Sequence, residues 1–414
     1  MLANRLRPLL DKIISPNQGA FVKGRWIAEN SIIAQELVHK IKSHKGKNGL
    51  LLMKIDLKKA YDRLEWSFVD RSLSAWGFSE DFRRIILSCL SSVEYSLLIN
   101  GDQSESFSPN RGLRQGDPLS PYLYILCSEF LTRLINKEEE EGRIRGIKIC
   151  RDSPSVSHLM YADDLLVACR ANMDNVEAVW RCFETYCAWS GQAINLDKSK
   201  KNFSPKTKVH CKKTILRRSG FKEMSSGSLY LGNQLIFGKN RSKDFGRLKD
   251  RVQAKLEGWR NHLLSRAGKA TLIKSVVQAI PQYTMSTFRV PDGVCNELDA
   301  LIPKFWWGTN KSGRFLALKC WDSICQPKEF GGLGFRKFRD INSALLSKLG
   351  WNLLTEENKL WISLVKAKYL KNSNFFDYHL KNGVSFSWKS IVTAREVLRK
   401  GVLFNLEDDK SIRL

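Results

Sequence analysis

An α+β fold is predicted by three observations. Short apolar runs of strand length, Leu51-Leu52-Met53-Lys54-Ile55, His158-Leu159-Met160 and Leu165-Leu166-Val167-Ala168-Cys169, stand next to aspartates. Between 51 and about 200 such runs alternate with helical segments, the pattern of a sheet with helices behind it. From Arg241 onward the apolar residues recur at helical spacing instead.

The elements follow in order. Residues 1 to about 50 read as helical, with an interruption at Pro16-Asn17-Gln18-Gly19. The run 51–55 then ends on Asp56, and a loop or helix carrying Tyr61 and Asp62 follows. Asp117-Pro118 and Ser120-Pro121 each offer a cap followed by proline at a first helical position. The helix they open, roughly Leu119 to Lys137, carries Leu123, Leu126, Cys127, Phe130, Leu131 and Leu134 on one face. Glu138–Gly142 reads as a solvated helix end and turn. Residues 200–240 are basic and end in a short apolar turn at Tyr230-Leu231-Gly232. The helical pattern from Arg241 to Ile280 sets Leu248, Val252, Leu256, Trp259, Leu263 and Leu264 opposite a basic side, and Pro281 ends it. From about Pro291 the chain is helical and rich in aromatics, including Trp306, Trp307, Trp321, Trp351, Trp361 and Trp388. At this spacing they read as core rather than as a platform for stacked bases.

Chemistry concentrates at the aspartates. Tyr161-Ala162-Asp163-Asp164 lies between two apolar runs, which places the carboxylates at or beside a hairpin tip. Adjacent side chains of a regular strand point to opposite faces, so neighbouring carboxylates share a site only where the chain turns. By itself the dipeptide also fits an ordinary hairpin cap. With Asp56 delivered by a second strand end, it forms a candidate metal site, because converging carboxylates repel unless a cation sits between them. Gln115 and Gly116 sit in the loop before a helix, where a backbone can approach a base pair closely.

In this order, Asp56 at its strand end, Arg111-Gly112-Leu113-Arg114-Gln115-Gly116-Asp117-Pro118-Leu119-Ser120-Pro121 and Tyr161-Ala162-Asp163-Asp164 resemble a reverse transcriptase. More narrowly, they resemble that of plant non-LTR, LINE-type retrotransposons. Ile14–Arg25 resembles the family's fingers segment and Leu229-Tyr230-Leu231-Gly232 its primer-grip turn. Gly331–Phe335 and Ser387–Ile391 continue the likeness. The resemblance implies a right-hand polymerase of fingers, palm and thumb with an antiparallel palm sheet. Its divisions would be partial fingers over 1–50, palm and remaining fingers over 51–240, thumb over 241–290, and a Trp-rich helical extension over 291–414.

The resemblance also implies roles. Asp56, Asp163 and Asp164 would be the catalytic carboxylates, holding two Mg²⁺ ions, with Mn²⁺ able to substitute. Tyr61 would lie under the incoming sugar and disfavour a 2′-hydroxyl; without the family context it reads equally as a core aromatic. Gln115 and Gly116 would contact the nascent pair and template. Arg25 is expected at the substrate, and either Lys198 or Lys200 would donate a proton to pyrophosphate. Asp62 and Asp117 are expected to be structural. The partners implied are an RNA template, a DNA primer and dNTPs. A segment bearing a triphosphate-binding arginine, expected upstream, is missing, and Glu407-Asp408-Asp409 replaces the family's usual Gly-Asp-Gly. The chain therefore reads as an excerpt of a longer polyprotein, either an RNA-directed DNA polymerase or a catalytically inactive remnant that only binds nucleic acid. An intron maturase fits less well.

Charge agrees with a nucleic-acid partner. Lys and Arg number 68 against 42 Asp and Glu, a net of +26 with pI near 9.7. From Lys198 to Lys255 there are 17 basic and 3 acidic residues, a net of +14, so over half the excess follows the catalytic hairpin. Such a field attracts phosphate backbones. No membrane-length apolar run and no signal-peptide core occur, so an intracellular protein, nuclear or cytoplasmic, is expected. The ten cysteines are scattered, which suits reduced thiols and makes no convincing zinc set.

Overall fold

In the computed structural model, residues 1–260, 264–308, 316–356 and 358–401 are described. Leu263 and the 407–409 variation from the family pattern lie outside these residues. The chain divides into two compact units, one of 1–235 with 359–364 and the other of 236–358 with 365–414.

The first unit is built on a five-stranded sheet whose middle strand is Leu50–Ile55. Its sequence, apolar apart from Lys54, suits a strand covered on both faces. Asp164–Arg170 runs antiparallel on one side and is itself hairpinned to His158–Tyr161. Lys200–Phe203 runs antiparallel on the other side, and Lys222–Glu223 adds to it in parallel. Alternation sorts the two faces. Leu51, Met53 and Ile55, with Leu165, Val167 and Cys169, join a core that includes Leu123, Leu126 and Leu131 of helix Ser120–Glu140. Val176, Val179 and Phe183 of helix Met173–Ser190 complete that side. Leu52, Lys54 and the following Asp56 are therefore turned to the opposite face.

The expected interruption near residue 16 separates helices Leu2–Ile13 and Ile27–Ser43. Leu6, Leu10 and Ile14 pack in the core beneath the sheet, so the segment 1–50 folds with the sheet rather than apart from it. Glu138 is less solvated than its run of glutamates suggested, because Arg143 and Arg181 both bind its carboxylate. The basic stretch after 200 contains helix Val209–Ser219, which periodicity did not reveal. It buries only Ile215 and Ser219 and is stopped by Gly220 in the left-handed region.

In the second unit the helical pattern expected from Arg241 to Ile280 is carried by helices Arg241–Arg260 and Arg266–Leu272, the latter continuing into a π-helical turn at Ile273–Val277. The expected division at 290 is corrected. Leu248, Val252 and Leu256 share one core with Phe288, Val290, Val294, Leu298 and Phe338, and Phe288 stacks on Phe386 at 5.7 Å. Apolar burial across that boundary makes the segments on its two sides one body. Trp306, Trp361 and Trp388 are buried as expected, whereas Trp351 is exposed. Among the described residues no helix is long and apolar enough to cross a membrane.

Candidate active site

The ladder between Leu50–Ile55 and Asp164–Arg170 closes with Ile55 opposite Leu165. One further step in that register brings Asp56 across from Asp164, and directly opposed residues share a face. Asp163 occupies the two-residue turn with Ala162, whose φ of 52° lies in the left-handed region. An alanine there is strained by about 1–2 kcal/mol. Two loops hold the strand ends. Asp56 N–H donates to Ser199 Oγ at 3.1 Å, and Asn195 N–H donates to the Asp56 carbonyl at 2.7 Å.

The strained turn is held by Gln18. Its Oε1 accepts from Ala162 N–H and from Ala20 N–H, each at 3.0 Å. Around it, Met160 N–H donates to the Asn17 carbonyl and Gly19 N–H to the Met160 carbonyl, both at 2.8 Å. Asn30 Nδ2 donates to that same Met160 carbonyl at 2.9 Å, and a Cβ on Gly19 would collide with Asn30. The Pro-Asn-Gln-Gly interruption is thus an extra strand-like piece docked on the hairpin that carries Asp163 and Asp164.

Asp163 feels the charge of both other carboxylates. Burial raises the Asp163 pKa, and Asp164 and Asp56 raise it further, while Lys54 opposes them. Asp163 is open to solvent at the tip even though protein crowds its other sides. Lys54 Nζ lies 3.3 Å from Asp164 Oδ1 and donates to the Leu229 carbonyl at 3.1 Å. It therefore ties the carboxylate cluster to the hairpin Leu229–Tyr230/Asn233–Gln234, whose turn residues Leu231 and Gly232 both have positive φ. Among the described residues no three His, Cys, Asp or Glu side chains are gathered as a metal cage. The donor set is nonetheless all hard oxygen, the kind that Mg²⁺ and Mn²⁺ take.

Tyr61 stands beside this cluster. It stacks on Tyr124 with centroids 4.8 Å apart and planes 8° from parallel. Burial, with the charge of Asp163, pushes its hydroxyl up to about 12, so the ring presents an uncharged surface. The Arg111–Gly116 loop is laid against the Tyr61–Leu64 turn. Leu113 N–H donates to the Tyr61 carbonyl at 2.8 Å, and Gly112 N–H to the Leu64 carbonyl at 2.7 Å. Gly112 has φ 88°, and a Cβ there would lie 2.7 Å from the Asp62 carbonyl oxygen, so only glycine fits. Gln115 and Gly116 emerge exposed from this anchor. Asp117 Oδ1 accepts from Leu119 N–H at 2.8 Å, the structural role expected of it.

Lys200 pairs with Lys54 across the sheet and so shares the aspartates' face, whereas Lys198 is exposed in the preceding loop. Arg25 requires correction. Its guanidinium donates to the carbonyls of Ser15 at 2.6 Å, Gln18 at 2.7 Å and Ile14 at 2.8 Å, and pairs with Asp11. Turned inward, it clamps the loop that carries Gln18 and is not placed to meet a substrate. The sequence reading also passed over Lys54, Gln18 and Ser199. A lysine inside an apolar strand was the one available signal for Lys54; nothing local marks the others.

Residues 1–234 match the family described as reverse transcriptase (RNA-dependent DNA polymerase). The chain belongs to that family, on its LINE-type, non-LTR side. Its sheet is accordingly the palm of a right-hand polymerase fold. It is 37% identical over 184 residues to an Arabidopsis thaliana protein provisionally named for ribonuclease H, covering 43% of this chain and 29% of that protein. A transposon TX1 protein of Xenopus laevis is 26% identical over 89% of this chain and 27% of its own length. The Pol polyprotein of a type-1 R2 retrotransposable element from Popillia japonica is 27% identical, over 41% of this chain and 26% of its own. The chain thus spans under a third of these relatives' lengths. Among solved structures, a Candida tropicalis telomerase in complex with a telomeric RNA fragment aligns with TM-score 0.44 at 14% identity, covering 89% of this chain and 56% of that one.

Proposed function

We propose that this chain extends a primer 3′-hydroxyl with dNTPs on an RNA template. The observation that supports this most is the meeting of Asp56, Asp163 and Asp164 at one end of the sheet, beside Tyr61 and the Gln115-Gly116 loop. The primer oxygen attacks the α-phosphorus, the bond to pyrophosphate breaks, and the hydroxyl proton is released. Mg²⁺, or Mn²⁺ in its place, held by the three aspartates, would supply Lewis acidity to the entering and leaving oxygens. To hold an ion, Asp164 would have to give up its pairing with Lys54, and Asp163 would have to be ionised.

Each remaining residue has a task in this reading. Tyr61, braced by Tyr124, is the floor under the sugar and disfavours a 2′-hydroxyl. Gln115 and Gly116 bear on the nascent pair. Lys200 Nζ, on the aspartates' face, protonates the departing pyrophosphate oxygen in preference to Lys198. RNA template, DNA primer and dNTPs are the partners proposed.

The test is primer extension on an RNA template by the purified chain, beside Asp163→Ala. Extension by wild type alone supports the reading. Extension by both would sink the carboxylate assignment. No extension by either, with salt-sensitive RNA binding retained, would leave a nucleic-acid-binding fold without catalysis.

A further inference from the structure

The sheet has a second end. There Leu50 pairs with Arg170, six residues along the strand from Asp56, or about 20 Å from the aspartates at the usual rise. A cavity of about 560 Å³ opens at this end. Lys40 of helix Ile27–Ser43, Lys47 of the following loop, Arg145 and Lys148 near strand Ile147–Lys148, and Arg170 line it. Among the described residues Glu139 is its one acidic lining residue, and that carboxylate already accepts from Ser155 Oγ at 2.6 Å. None of the five cations has a side-chain hydrogen bond or ion pair among the described residues. Nearby arginines behave differently, since Arg143 and Arg181 are both paired with Glu138, and Arg143 also with Glu141. A second cavity of about 420 Å³ shares Arg145 and Arg170 with the first; its acidic lining residues are Asp174 and Glu177, and Glu177 is paired with Arg218.

We infer that this basic trough is a second nucleic-acid site, which holds the phosphate backbone of RNA lying outside the catalytic cleft. Five cations drawn from four stretches of chain, against the single carboxylate of Glu139, give the concavity a net positive field, and such a field draws in anions. Among the described residues the lining contains no Phe, Tyr or Trp on which a base could stack, so recognition falls on phosphates rather than on a nucleotide's ring. Continuity across two cavities suits a chain of phosphates better than one free anion. The inference rests on charge and shape at this end of the sheet and stands whether or not the chain polymerises.

The test compares the full chain with a Lys47→Ala/Arg145→Ala/Lys148→Ala variant, in magnesium-free buffer, by anisotropy with a long structured RNA and with a short blunt primer–template. The long RNA should bind on the order of tenfold more weakly, and its log Kd against log salt slope should fall by about 2–3, at 0.7–0.9 per phosphate contact. Affinity for the short duplex should stay within twofold. Unchanged affinity and slope for the long RNA would overturn the inference, as would equal loss for both ligands. Lysine acetylation mapped on wild type provides a readout that needs no variant. Long RNA should shield Lys47 and Lys148, and inorganic phosphate or dNTP at equal phosphate should not. Equal shielding by the free anions, or none by RNA, would refute a backbone site.

Discussion

Gln18→Ala is the perturbation that most directly tests how the catalytic turn is held. Gln18 is 1% exposed, and its Oε1 is the acceptor for two backbone donors, Ala162 N–H and Ala20 N–H. Truncation removes the acceptor and leaves both donors without their partner. A buried donor left unmade costs about 1–3 kcal/mol. Water entering the vacated volume relieves part of that, so about 2–4 kcal/mol is expected for the pair. The loss is local, because Ala162 keeps its strained φ of 52° without the bond that offsets it. Hydrogen exchange of a peptide spanning 158–170 reads this directly. At 1.4 kcal/mol per tenfold, opening of the hairpin should become on the order of 10²-fold more frequent, with peptides of the second unit unchanged. Primer extension should fall with it, since Asp163 is the next residue of the turn. Exchange within threefold of wild type would show that Gln18 does not hold the turn and would refute this reasoning.

Three further outcomes are expected. Tyr61→Ala should admit ribonucleotides while Tyr61→Phe should not, and unchanged sugar selectivity in primer extension would remove Tyr61 from the floor of the site. Gly112→Ala introduces a Cβ 2.7 Å from the Asp62 carbonyl oxygen at a φ of 88°, so it should lower stability in urea unfolding by about 1–3 kcal/mol; a neutral result would mean the loop shifts freely. Lys201, fully buried with Nζ donating to the Ile215 carbonyl at 3.3 Å and to Ser219 Oγ, has its pKa lowered by burial from 10.5 to about 8. From pH 8 to 10 the unfolded chain holds this proton more tightly than the folded one, so the Lys201 contribution to stability should grow with pH in that window. Melting temperatures of wild type against Lys201→Met should diverge there, and parallel curves would refute the burial argument.

Much of the catalytic end was legible because it is written in local grammar. An apolar strand ending on Asp56, a turn bearing Asp163-Asp164 and the proline-capped start of helix Ser120–Glu140 each depend on neighbours in sequence. Even the Trp-rich helices announced their burial by spacing, as Trp306, Trp361 and Trp388 bear out. What spacing could not supply was partnership across the chain. Arg25 and Lys54 look alike in sequence as cations beside motifs. Yet one is tied to the carbonyls of its own loop and the other reaches from Asp164 to the Leu229 carbonyl, 175 positions along the chain. The 290 boundary failed for a related reason, because whether two helical stretches share a core is settled by which apolar faces meet. The sequence by itself determined the strands, the turns and the residue types that carry the chemistry, since these follow from short-range sterics and alternation. Only the tertiary structure decided that Gln18 braces the Asp163 turn, that Lys200 faces the aspartates, and that five cations with no side-chain partner among the described residues gather at the far end of the sheet. Those facts depend on register and packing between distant segments, which burial of the common core fixes and no local pattern encodes.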